Sequence, residues 1–277
     1  MRVRVPQLDY SQVSPHWAPN REFAQMQNGN SILPAHIEPY LVKVMAKAKT
    51  KLDPRETKLH EELGVFIKQE MQHCKQHLAF NKKIRESGYP GLAEIEAEYA
   101  ADYDRFLREK SLRFNLAYSE GFEAMSAVGV TAYFEEYDEF LEGADQNAKD
   151  LWLWHLAEEY EHREVAHDVF HKLVGLDPVS AYFYRVWGFF YAVKHIRSYG
   201  KRAVDYLLSV DRAGMTPEEL EASKARVAHI NAVMKKRAMS HLLDIVSPFY
   251  SPHRRKPPRG WAEYLAKFDP PAKAVAS

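Results

Sequence analysis

Two segments of this chain carry an apolar stripe that glutamate and histidine interrupt at matching places. Stepping alternately by three and four residues, the first stripe reads Leu59, Leu63, Phe66, Glu70, His73, His77, Phe80, Ile84. The second reads Ala148, Trp152, His155, Glu159, His162, Ala166, Val169, Leu173. That spacing is the inward seam of a bundled α-helix. Polar groups on such a seam need partners, because an uncompensated buried carboxylate costs several kcal/mol. The stripes therefore constrain fold and chemistry together.

The rest of the chain supplies the other helices of a bundle. Its 12 Gly and 15 Pro are few for 277 residues and collect at breaks between long periodic segments, which is how helical proteins are punctuated. The pattern predicts helices over 34–50, 54–87, 92–142 with a break near Lys110, 146–174, 178–211 and 216–246. Asp53-Pro54 and Asp177-Pro178 each read as an N-cap followed by proline at the first helical position. No alternating strand pattern occurs. The expectation is an all-α protein: a single domain over 1–277, with a four-helix bundle in 30–175, accessory helices in 178–246 and an extended tail over 247–277. The Pro-rich basic stretch 251–259 reads as a surface strap.

At about 100° per residue, Glu70 and His73 lie about 60° apart with His77 between them, and His155, Glu159 and His162 span a similar arc. Each set can converge on one point. Glu70-Met-Gln-His73 and Glu159-Tyr-Glu-His162 are both Glu-x-x-His. That motif on two helices, with one Glu from each of two others, builds a di-iron or di-manganese carboxylate site in a four-helix bundle. In segment 104–142 the best further candidate is Glu120, with Glu123 one turn on as a reserve. In the first helix Glu38 heads the seam Leu41, Met45, Ala48, Leu52. The order is then Glu, Glu-x-x-His, Glu, Glu-x-x-His, as in ferritin-like bundles.

Alternatives stand beside each assignment. The two triplets can form a buried polar network without metal, Glu38 and Glu120 can be surface acids, and His77 and His155 can be core imidazoles satisfied by a carboxylate. A third triplet, Glu164-Val-Ala-His167, lies about 140° around a continuous helix from Glu159 and is expected at the surface. Cys74 is one step off the seam and reads as a packed thiol.

The runs Phe66-Ile-Lys-Gln-Glu70-Met-Gln-His73-Cys-Lys-Gln-His77 and Leu151-Trp-Leu-Trp-His155-Leu-Ala-Glu158-Glu159-Tyr-Glu-His162 resemble the signatures of the bacterial family called predicted metal-dependent hydrolases. The later Ser247-Pro-Phe-Tyr-Ser-Pro-His253 is similar to that family's tail, and the resemblance covers roughly 30–255. The same residues also resemble ferritin-like di-iron proteins, especially the arylamine N-oxygenases, in which a histidine four residues before the last Glu-x-x-His binds iron. His155 matches that position. The resemblance implies metal ligation by Glu38, Glu70, His73, Glu120, His155, Glu159 and His162, with His77, Glu123 and Glu158 as additional ligands or supports. The chain departs from the family pattern in Ile37-Glu38, where Gly-Glu is common, and in His167, where an apolar residue is expected.

The functional expectation is a non-haem di-iron, O2-dependent oxidoreductase acting on a small organic substrate, supplied with electrons by a donor. It would hold two Fe ions, with Mn an acceptable substitute. The alternative is a dinuclear metal-dependent hydrolase, for which Zn would serve. Lys+Arg and Asp+Glu balance at 38 each, so no field steers the chain toward nucleic acid. A hydrophobic content of 46% excludes general disorder. The apolar window 181–193 is interrupted by Arg185 and is too short to span a bilayer. No secretory signal is legible and Cys74 stands alone, so a cytoplasmic location is expected. The aromatic run 182–191 reads as helix packing, with room for a homodimer contact or an apolar substrate channel.

Overall fold

The computed structural model describes residues 1–269. Among them the chain is helical and contains no strand. The helices are α1 Arg21–Asn30, α2 Ile32–Lys49, α3 Thr57–Glu86, α4 Leu92–Glu109, α5 Leu112–Glu135, α6 Asp138–Leu141, α7 Gln146–His162, α8 Val165–Leu173, α9 Pro178–Arg212, α10 Pro217–Ile245 and α11 Trp261–Ala266. No helix among the described residues is long and apolar enough to cross a membrane.

Local chemistry explains most of the boundaries. Asp177 accepts from the amides of Val179 and Ser180 ahead of Pro178. Thr216 and Glu219 form a reciprocal capping box that starts α10. The expected break near Lys110 is present, with Ser111 capping α5 through the Phe114 amide.

Four boundaries differ from the sequence reading, the first being a second break in 92–142, between α5 and α6. Asp53 is spent on Arg55, accepting from both its amide and its guanidinium, so it closes a turn and α3 begins at Thr57. The segment 146–174 divides after His162. There Arg163 donates to the Tyr160 carbonyl, occupying an acceptor that a continuing helix would use. In the expected tail, Pro252–Arg254 form a 3-10 turn and α11 follows, because Trp261 packs on Tyr160 and Leu265 is buried beside Trp154 and Ala157. Residues 270–277 of that segment lie outside the described residues. Helix α1, in the unassigned start of the chain, is capped by Asn20 and carries the buried Phe23.

Helix α2 packs along α3 and α5 along α7, while α3 meets α7 and α2 meets α5, closing a four-helix ring. Helix α9 lies outside this ring against α5 and α1. The α5–α9 approach is close enough to demand glycine. A Cβ on Gly121 would sit 2.8 Å from the Phe189 Cα, and one on Gly188 would sit 2.7 Å from the Ala117 Cβ.

Candidate metal centre

The side chains that interrupt the two stripes meet inside the ring. Helix α3 brings Glu70 and His73, α7 brings His155, Glu159 and His162, and α2 brings Glu38, all of them buried. His155 Nε2 lies 2.9 Å from Glu159 Oε1 and 3.2 Å from Glu38 Oε1. His162 Nδ1 lies 3.1 Å from Glu70 Oε1, and its Nε2 lies 3.4 Å from Glu159 Oε2. His73 Nδ1 faces Glu159, Glu38 and Glu70 at 3.7, 4.0 and 4.0 Å. Donor atoms of Glu38, His73, His155 and Glu159 all lie within 4.8 Å of one another, as do those of Glu70, His73, Glu159 and His162. The two groups share His73 and Glu159, so they are neighbouring halves of one cluster.

Helix α5 contributes a carboxylate at the reserve position. Glu123 is buried, and its carboxyl feels the charges of Glu159 and Glu70. Glu120, one turn earlier, is turned toward α9 and α8: its Oε1 lies 3.4 Å from Arg185 Nη1 and 3.3 Å from His167 Nδ1. The buried Arg185, which breaks an apolar run in the sequence, is therefore the partner that takes Glu120. His167 is held there too, which accounts for a histidine where an apolar residue was expected. Glu164, displaced by the break between α7 and α8, pairs at the half-buried rim with Arg163 and His253.

Supporting groups stand behind the inward ones. His77 Nε2 lies 2.8 Å from His155 Nδ1, and His77 Nδ1 lies 2.7 Å from Ser31 Oγ. His73 Nε2 lies 3.0 Å from Glu158 Oε2, whose other oxygen accepts from Arg4 at 3.0 Å. Trp154 meets the His73 ring edge-on, and Phe66 covers His162. Cys74 fills a different role. Pro39 in α2 has no N–H to give the Ala35 carbonyl, and the Cys74 thiol donates to that carbonyl at 3.5 Å.

The electrostatics of the bare cluster are unfavourable. Burial, reinforced by neighbouring carboxylates, pushes Glu38, Glu70 and Glu123 well above the usual carboxyl range. Burial and the adjacent imidazoles push His73 and His77 well below the usual histidine range. Glu159 alone goes down: burial opposes its charge, but His162 and His155 outweigh that penalty. Both carboxylate oxygens of Glu38, Glu70 and Glu123, together with His73 Nδ1 and both His162 nitrogens, are buried without a hydrogen-bond partner among the described residues. Buried polar atoms are ordinarily paired. Unpaired oxygen and imidazole donors converging from four helices fit divalent cations, which would supply the missing partners and cancel the carboxylate repulsion.

Three groups outside the interrupted stripes also bear on the site. Arg4 comes from the Arg2-Val-Arg-Val5 start, whose basic-apolar alternation is its only sequence signal. Ser31 sits at the α1–α2 junction with no motif to mark it. Arg255 lies in the strap, which is more than surface cover: with α5, α7 and α10 it lines a half-open cavity of 160 Å³ that touches Glu159.

The model of a family described as predicted metal-dependent hydrolase matches residues 2–256, a span containing the whole cluster. No curated protein and no solved structure matches the chain.

Proposed function

The chain belongs to the predicted metal-dependent hydrolase family, and from that premise we propose that it is a dinuclear metal enzyme that uses O2 to oxidise a small organic molecule. The observation that carries this reading is the set of buried, unpartnered donor atoms on Glu38, Glu70, Glu123, His73 and His162. Glu38 and His155 would serve one ion and Glu70, Glu123 and His162 the other, with His73 and Glu159 belonging to both donor groups. A donor set of carboxylates and imidazoles suits iron or manganese. When bound and reduced, the metal pair supplies the electrons that O2 requires.

The protein's own groups orient and insulate. With His155 Nε2 committed inward, its Nδ1–H donates to His77 Nε2, and His77 Nδ1–H is left to donate to Ser31 Oγ. Glu158 fixes His73 in the same way, accepting its Nε2–H while Arg4 holds the carboxylate. Such partners set the tautomer and raise ligand basicity. The Trp154 and Phe66 rings pack against His73 and His162 and would exclude water from their side of the cluster. Burial of every one of the metal-site donors, with only Glu159 and His162 in the last turn of a helix, favours an enclosed redox site over the open, wet one that hydrolysis needs.

Hydrolysis is the second reading, favoured by the family's description and by the cavity at Glu159, which could admit water. Two metals would then activate water and polarise an ester, amide or phosphoester. The separating experiment loads the protein with Fe(II) without oxygen and then admits O2. The proposal expects oxygen uptake that scales with bound iron and a transient visible absorption. Turnover of an ester or phosphoester by the zinc form under nitrogen, with a ferrous form inert to O2, would reject the oxygenase reading and support the hydrolase.

A further inference from the structure

The cavity beside Glu159 carries an unused cation. Arg255 Nε, Nη1 and Nη2 are buried and donate no hydrogen bond among the described residues. The nearest acid, Asp244, is half-exposed and stands 3.8 Å from Nη2, beyond hydrogen-bond reach. The guanidinium lies 5.6 Å from the centre of the Tyr250 ring, a contact that leaves its N–H groups free. The neighbouring Arg163 is different. Its Nε donates to the Pro252 carbonyl, Nη1 to the Tyr160 carbonyl and Nη2 to Glu164.

The backbone at Arg255 is fixed where it stands. Tyr160 Oη donates to the Arg255 carbonyl at 3.0 Å, and the Arg255 amide donates to the Pro252 carbonyl. The exposed Lys256 lines the same cavity and adds positive charge. At 160 Å³ the space is close to the ~150 Å³ that admits a benzene-sized molecule. One wall is a residue of the metal cluster, and another is a planar fork of donors that makes no hydrogen bond among the described residues.

We propose that this cavity is the substrate site and that it takes a small organic anion, its carboxylate or phosphate held by Arg255 and its reacting end turned toward Glu159. A guanidinium fork matches either anion in bidentate fashion. Glu159 and Asp244 line the same space, so an anion fits only with its charged end at Arg255 and its neutral part toward Glu159. The cavity thereby orients the molecule as well as selecting it. This inference rests on the metal-site reading above for what happens to the bound molecule.

The test uses the full chain loaded with zinc, which is redox-inert, and measures metal content and anion binding separately. Ligand-observed NMR titrations with butyrate, butyramide and inorganic phosphate are run on the wild type, Arg255→Gln and Arg255→Lys, with melting temperatures to verify folding. The expected result is binding of butyrate, phosphate or both, no matching affinity for butyramide, at least about tenfold weakening in Arg255→Gln and partial retention in Arg255→Lys. Preference for butyrate assigns a carboxylate substrate, and preference for phosphate assigns a phosphoester. Equal binding of butyramide and butyrate, binding unchanged in Arg255→Gln, or no anion binding to the folded wild type would overturn the proposal. Metal retained with no anion bound counts against this site alone, whereas failure to load metal counts against the metal-site reading.

Discussion

His73 is held from both ends of its imidazole: Nε2 lies 3.0 Å from the Glu158 carboxylate, while Nδ1 faces the convergent oxygens of Glu38, Glu70 and Glu159. Glu158 is itself clasped by Arg4, from the start of the chain, and Arg4 also binds Glu161 and Asp269. One ring orientation thus depends on residues far apart in sequence. Glu158→Gln should weaken metal binding by about 10–100-fold, the usual cost of removing a carboxylate behind a ligating histidine. Arg4→Gln should do so to a smaller extent. A competition titration against a chelator measures both, and affinities equal to wild type would show that the clasp does not act on His73.

Glu120 and Glu123 lie one turn apart on α5 and face different partners. Glu123→Ala should reduce metal content. Glu120→Ala should keep the metals but lower the melting temperature, because it removes the carboxylate beside the buried Arg185; losing one partner of such a pair costs on the order of 3 kcal/mol. Elemental analysis and thermal melts on the two variants separate these outcomes. The reverse pattern would place Glu120 in the cluster.

His155 faces the carboxylates directly, and His77 reaches them only through it. His155→Ala should leave one ion weakly held. His77→Ala should retain both ions at lower affinity, since the cluster loses only the support of His155 Nδ1. Equal metal loss in both variants, read by elemental analysis after dialysis, would argue that His77 also ligates.

The metal-free protein should lose stability as pH rises above about 6.5, and the metal-loaded protein should not. Glu38, Glu70 and Glu123 keep their protons in the fold well above the ordinary carboxyl value of 4.5. Their contribution is complete below that value and is lost as pH rises toward their raised values. His73 and His77, depressed in the fold, act in the opposite sense but only below their ordinary 6.5, so above it the carboxyl effect stands alone. Metal binding, which requires deprotonated ligands, should tighten over the same range. Melting temperatures of both forms between pH 6.5 and 8.5 check this, and parallel curves would contradict it.

Much of the fold was legible because a long helix repeats its period many times. The seams of α3 and α7 identified the helices and brought Glu70, His73, Glu159 and His162 into consideration together. Where helices stop was less legible. Asp53 looked like a cap, but Arg55 two residues on takes its carboxylate, and the division after His162 depends on an arginine folding back on its own helix. On α5, periodicity favoured Glu120 and kept Glu123 as a reserve, because both lie near one face and what turns Glu120 away is Arg185, from a helix much later in the chain. Arg4, Ser31 and Arg255 were invisible for the same reason. Each reaches the cluster or its cavity by tertiary contact, with no periodic element to signal it.

The central claim is that the buried glutamates and histidines hold a pair of transition metal ions. Its most direct test is elemental analysis of the protein as purified and after anaerobic reconstitution with Fe(II), alongside Glu70→Ala and Glu159→Ala. Two ions per chain in the wild type, lost in both variants while the helical content measured by circular dichroism is retained, is the predicted result. No more than trace metal in the reconstituted wild type, or an undiminished load in the variants, would contradict it.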